Sequence, residues 1–156
     1  RMCFEWNGAG NSLLVERAAE LALKSGGNIK FDLKCYSETV SKALSGVSNR
    51  RSYENFEMLF KKYGTERPHL PLLTATTLLV PGYVDALEVE RIASFLEDLD
   101  SNIPYSLLVF HQDFVMTDLP ITPYRQVEEC YRVARKHLTR VNVGNLASLG
   151  IRSWPS

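Results

Sequence analysis

The apolar and polar positions of the chain alternate between two periods from end to end. Runs of strand character, rich in β-branched and aromatic residues, fall at Met2 to Glu5, Ile29 to Lys34, Leu72 to Val80, Tyr105 to His111 and Arg140 to Val143. Between them apolar residues recur at helical spacing. Ser12 to Ser25 sets Leu14, Ala18 and Leu21 on one face and stops at the pair Gly26-Gly27. A short helix is predicted over Glu38 to Leu44. The next, Ser52 to Tyr63, stacks Phe56, Leu59, Phe60 and Tyr63 and ends at Gly64. Asp85 and Glu88 have the spacing of a capping box ahead of the stripe Val89, Ile92, Ala93, Leu96 and Leu99. Thr122 before Pro123 reads as a cap and first-turn pair for a last helix carrying Val127, Cys130, Tyr131, Ala134 and Leu138.

Strands alternating with helices predict parallel βαβ units with right-handed crossovers, and hence an α/β fold. Five such strands fit either a doubly wound sheet or an arc of a β/α barrel, and periodicity does not choose between them. Both gather ligands at the carboxyl ends of their strands. Pro68 and Pro71 in ERPHLP mark an irregular approach to the Leu72 strand and not a domain boundary.

Composition narrows the picture. With 156 residues of which 45% are hydrophobic, residues 1–156 are expected to form one unit around one core. Eighteen basic residues balance eighteen acidic ones, so no net field draws the protein to nucleic acid or an anionic membrane, and any acidic ligand must be met by local groups. No apolar run has transmembrane length and no signal-like start is present, which reads as a cytoplasmic protein. The chain opens on Arg1 and enters a strand almost at once, as part of a longer protein would. An incomplete barrel would leave a sheet edge unpaired, from which self-association into a homo-oligomer is expected. Cys3, Cys35 and Cys130 are odd in number and far apart, so neither a disulfide framework nor a zinc site is expected. Cys3, in a strand, and Cys130, on an apolar helix face, read as small buried hydrophobes, while Cys35 follows Lys34 at a strand end.

Reading only the residues that close each strand gives a coherent chemical set. Glu5, Trp6, Asn7 and Gly8 close the first, Asp32 and Lys34 the second, Pro81 and Gly82 the third, His111, Gln112 and Asp113 the fourth, and Gly144 and Asn145 the last. In a parallel array these converge on one rim. Asp32 and Lys34 are two apart and so share a strand face. On spacing alone they read as an ion pair or a solvated strand end. They also offer an acceptor and a donor to a ligand with an ammonium and a carboxylate. GVSN, Gly46 to Asn49, and VPGYVD, Val80 to Asp85, are each ordinary loops when taken singly.

Taken together, IKFDLK, GVSN with its basic pair and helix, LLVPGYVD, and an apolar strand ending in FH resemble the radical S-adenosylmethionine enzymes of the pyruvate formate-lyase-activating type. FEWNG is similar to that family's first strand end, with Trp6 where threonine is usual. The resemblance runs from Phe4 to about Asn145. It implies the later strands of a partial β/α barrel, with S-adenosylmethionine across the strand ends. It also implies a four-iron four-sulfur cluster that donates an electron to cleave the cofactor, giving a 5′-deoxyadenosyl radical. In activating enzymes the radical is directed at a glycine of a partner protein. Asp32 and Lys34 match cofactor-contacting positions, and Asn7 belongs to the matching first strand end. Glu5 matches an acidic residue near the methionyl carboxylate, where the family holds a monovalent cation. His111 matches a histidine near the adenosine. Thr76 stands about where the activating enzyme has an arginine. HQDFVMTDLPITP departs from the activating enzyme after the histidine, which suggests a related subfamily with a different substrate. The cluster-binding cysteine loop and the glycine-rich strand end ahead of it are not in this sequence and are expected upstream, so this chain alone is predicted to be inactive. Two other readings stay open: a non-catalytic binding module, and a barrel enzyme using Asp32, Lys34 and His111 for acid–base chemistry.

Overall fold

Every neighbouring pair of strands in the sheet is also neighbouring in sequence. The computed structural model describes residues 1–67, 69–113 and 116–154, so Pro68 of ERPHLP and Phe114 and Val115 of HQDFVMTDLPITP lie outside the described residues. The strands are β1 (Phe4–Trp6), β2 (Ile29–Asp32), β3 (Leu73–Leu79), β4 (Tyr105–Val109) and β5 (Val141–Gly144). They pair in parallel in the order β1-β2-β3-β4-β5. The helices are α1 (Ser12–Ser25), α2 (Glu38–Ser45), α3 (Arg50–Tyr63), α4 (Ala86–Leu99) and α5 (Tyr124–His137), followed by a 3-10 turn at Leu146–Leu149.

That order decides between the two α/β architectures. A doubly wound sheet reverses its strand order to cover both faces, whereas a monotonic order with right-handed crossovers puts the connecting helices on one face. Packing agrees, because α1 lies on α3, α3 on α4 and α4 on α5. The α/β arc of a β/α barrel is borne out. Side-chain burial follows the same division. Ile29, Phe31, Ala75, Leu79, Tyr105, Leu107, Val109 and Val143 are buried towards the helices, while Lys30, Asp32, Thr74, Leu78, Ser106 and Leu108 point the other way and are half-buried. The second set lines a concave face. Among the described residues no helix is long and apolar enough to cross a membrane.

The core beneath α3 and α4 is aromatic. Phe31 meets Phe56 edge-on at 5.1 Å, and Phe95 contacts Tyr53 at 4.9 Å and Phe56 at 6.1 Å between ring centres. Buried Tyr105 donates to Thr77 Oγ1 at 2.8 Å, and Thr77 donates to the Leu33 carbonyl at 2.6 Å, so these two buried hydroxyls are paired.

Several expectations are corrected. The buried face of α1 is Val15, Ala18, Ala19 and Ala22, with Leu14 and Leu21 exposed. Alanines let a helix lie close to a sheet, and counting the larger apolar side chains hid that. Thr122 does not cap α5. It is buried, accepts from the Phe110 N–H and donates to the Leu79 carbonyl, both at 2.7 Å, and so ties the ends of β3 and β4 together; Pro123 occupies the cap. Strand β1 begins one residue after Cys3, which is exposed, whereas Cys35 and Cys130 are buried. Burial pushes the Cys35 thiol from 9.0 up to about 11 and that of Cys130 from 9.0 up to about 12.

Native protein treated with iodoacetamide should be alkylated at Cys3 and spared at Cys35 and Cys130, read by peptide mass spectrometry; equal labelling of all three would contradict this packing. Because both buried thiols are raised, their contribution to stability is complete below the pH at which an unfolded thiol ionises. It is lost as pH rises through about 11 and 12. Replacing Cys130 with alanine should flatten that alkaline fall in the melting midpoint.

Candidate functional site

At the carboxyl ends of β1 and β2 the chain makes two loops that α3 holds in place. Asn7 starts the first, its side-chain oxygen accepting from the Ala9 N–H at 3.0 Å. Gly8 follows in the left-handed region at φ +71°, and a Cβ there would lie 2.2 Å from the Phe31 ring. Both facts require glycine. Asn55 of α3, buried, donates to the carbonyls of Gly8 at 2.7 Å and Gly10 at 3.0 Å.

The second loop is fixed from both sides. Asn49 donates to the carbonyls of Cys35 and Tyr36, each at 2.8 Å, and the Tyr53 hydroxyl donates to Cys35 at 2.9 Å. From α4 the buried Glu88 carboxylate accepts the N–H groups of Tyr36 at 2.7 Å and Ser37 at 2.9 Å, and also the Ser37 hydroxyl. This corrects the expected capping box. Asp85 does cap α4, accepting from Leu87 and Glu88 at 3.0 Å, but Glu88 serves the start of α2 instead of reaching back to Asp85. VPGY is a turn closed from the Tyr83 N–H to the Val80 carbonyl at 3.2 Å, with Gly82 at φ +78°.

Held in this way, Glu5, Asn7, Asp32 and Lys34 line one open groove of about 400 Å³, floored by Leu78 and Leu108. A narrower pocket of about 120 Å³ runs on from Asn7, Asp32 and Lys34 to Ser48, Asn49 and Tyr53 of the GVSN region. Lys34 Nζ stands 2.5 Å from Asp32 Oδ2, with the two side chains 40% and 30% exposed, so the pair still has donors and lone pairs to offer. Thr76 is buried at the groove wall and its hydroxyl turns to the Phe31 carbonyl at 3.4 Å, so it brings no charge. His111 is not among the lining residues. It is 47% exposed beyond β4, with Nδ1 3.1 Å from Asp113 Oδ2. His111 therefore does not join Asp32 and Lys34 in the groove lining.

A cavity of about 460 Å³ lies at the opposite rim between Phe60, Arg67, His69, Asp100 and Arg140. Parallel β/α architecture places its loops of function at the carboxyl ends of the strands, and the groove there is where four of the five expected residues meet. That chemistry, not size, selects the groove.

Lys30 escaped sequence reading, and so did the loop contact of Glu88. Lys30 Nζ lies 2.5 Å from Glu5 Oε1, a contact made by register across β1 and β2, and Glu88 reaches a loop 51 residues away. The groove suits a ligand with an amino acid end. An iron–sulfur cluster does not fit the donors present: among the described residues no group of three His, Cys, Asp or Glu could hold a metal ion, and the three cysteines are dispersed.

Fold and rim together describe a β/α-barrel arc with a polar, loop-clamped strand-end site. In sequence, the chain is 32% identical over 85 residues to the isethionate sulfite-lyase activating enzyme of Desulfovibrio desulfuricans, a match covering 54% of this chain and 25% of that protein. The match therefore spans about a quarter of that relative's length. In structure, a domain of pyruvate-formate lyase-activating enzyme from Bacteroides vulgatus superposes with a TM-score of 0.63 at 16% identity, over 90% of this chain and 98% of that one. No family model matches the chain. The similarity to radical S-adenosylmethionine activating enzymes read from the strand-end motifs is borne out, in sequence by the first and in fold by the second.

The Gly8→Ala variant should lose roughly 2–5 kcal/mol of stability, read by urea denaturation, because a left-handed φ and a clash with Phe31 add. A change within a few tenths of a kcal/mol would show that the β1 loop is not held as described.

Proposed function

We propose that this chain is the C-terminal portion of a radical S-adenosylmethionine activating enzyme and that its strand-end groove binds S-adenosylmethionine. The observation that carries the reading is the meeting of Glu5, Asn7, Asp32 and Lys34 in one groove, in a chain similar to such enzymes. A four-iron four-sulfur cluster held by residues outside this chain would supply the electron that cleaves S-adenosylmethionine to methionine and a 5′-deoxyadenosyl radical, and a glycine of a partner protein is the proposed hydrogen donor to that radical.

This chain's residues bind and orient. Asp32 accepts from a ligand ammonium or hydroxyl, and Lys34 donates to a carboxylate or hydroxyl. Their mutual contact holds both side chains ready and lowers the entropy lost on binding. Asn7 lines the groove with its oxygen committed to Ala9, and its amide makes no bond among the described residues and so can donate. Leu78 and Leu108 give an apolar floor that excludes water beneath the ligand. The cluster's ligands would come from outside these residues.

The full-length protein, reconstituted anaerobically with iron and sulfide, should form 5′-deoxyadenosine when reduced with S-adenosylmethionine. No product despite an intact cluster would refute the activity. Asp32→Ala and Lys34→Ala should each weaken S-adenosylmethionine binding by about 10–100-fold without loss of the cluster, the range expected for a charge-assisted hydrogen bond. The double variant should lose less than the product of the two, because each single change strands the other's charge. Unchanged affinity in both single variants would reject their assignment.

A further inference from the structure

The Glu5 carboxylate stands on the concave face, where among the described residues its one partner is the Lys30 ammonium, 2.5 Å away. Resemblance to the activating enzymes would put a monovalent cation at this carboxylate. The residues present do not fit one. The ammonium already holds Oε1 of the carboxylate, and Lys30 is the direct register partner of Glu5, so the contact is set by strand pairing. Position 6 offers no oxygen from its side chain: Trp6 stacks on Phe4 at 5.5 Å and meets Phe31 edge-on at 5.9 Å, on the helix side of the sheet. The nearest further carboxylate along β2, Asp32, is engaged by Lys34 at 2.5 Å.

We propose that Lys30 takes the place of a dissociable monovalent cation. The Glu5–Lys30 pair presents a fixed, tethered positive charge to the carboxylate of the bound amino acid end, so ligand binding is independent of potassium and sodium. This rests on the reading of the groove as an S-adenosylmethionine site. Two anions brought together repel unless a cation lies between them, and an ammonium and an alkali ion carry the same unit charge. The ammonium differs in being covalently held at the right register, so no ion is recruited from solution. Glu5 lines the groove and is 68% exposed, and Lys30 reaches the groove only through its contact with Glu5 Oε1 and is 34% exposed, so the free pair is weak. Its worth rises as the ligand excludes water.

The test is S-adenosylmethionine affinity of the full-length, cluster-loaded protein, by equilibrium dialysis in potassium, sodium or tetramethylammonium chloride at equal ionic strength. Wild type should bind equally in all three. Lys30→Met, checked for folding by its melting curve, should bind about tenfold more weakly in tetramethylammonium and recover in potassium or sodium; Lys30→Arg should keep the wild-type pattern. Wild-type affinity rising tenfold with an alkali cation overturns the proposal, as does a folded Lys30→Met that matches wild type in every salt. If Lys30→Met does not fold, the wild-type comparison decides alone. No binding by wild type in any salt, with the cluster intact, overturns the functional reading and this proposal with it, and is thereby distinct from salt-dependent binding.

Discussion

All connecting helices of this sheet lie on one side, and the rest of the structure follows from that constraint. A monotonic order of parallel strands with right-handed crossovers leaves one face dry and the other bare. The dry face takes Phe31, Leu79, Tyr105 and Leu107 and pays for the fold. The bare face is free to carry Lys30, Asp32, Thr74 and Ser106, which would be costly in a sheet covered on both sides. Charge at the end of β2 is thus permitted by topology before it is used by chemistry.

A polar face alone is not a site. What makes one here is α3, whose N-terminal half sends Asn49, Tyr53 and Asn55 to backbone carbonyls of two successive strand-end loops. Glu88 closes the second loop from the far side. Backbone groups that would otherwise need water are satisfied by side chains on the helices, which tie both loops to the scaffold. On the proposed reading, local ion pair and ligand site are two states of the same Asp32 and Lys34 and not rivals. A pair at 2.5 Å on a clamped loop is a preformed donor and acceptor.

The sequence revealed those features whose cause is local. Alternating periods located every strand and helix, usually within two residues, because each βαβ unit writes its own pattern. Strand-end polar residues were legible because loops at parallel strand ends must be polar. Strand order was not, since it depends on which distant segments pair. Thr122 was misread because a threonine before proline looks the same whether it caps a helix or bridges Phe110 and Leu79. Glu88 obeyed the capping spacing while its carboxylate served another loop, and Lys30 gained its partner only through the register of β1 on β2. His111 matched by strand-end position, yet position along a strand does not say whether a side chain turns into the groove.

The central claim is that the concave strand-end face, built by one-sided winding and clamped by α3, receives S-adenosylmethionine. Hydrogen–deuterium exchange of the full-length protein with and without S-adenosylmethionine tests it most directly. Protection should appear in peptides covering residues 5–10, 32–37 and 46–53, and be absent from the outer faces of α4 and α5. Protection on those helices without any at the two clamped loops would contradict the account.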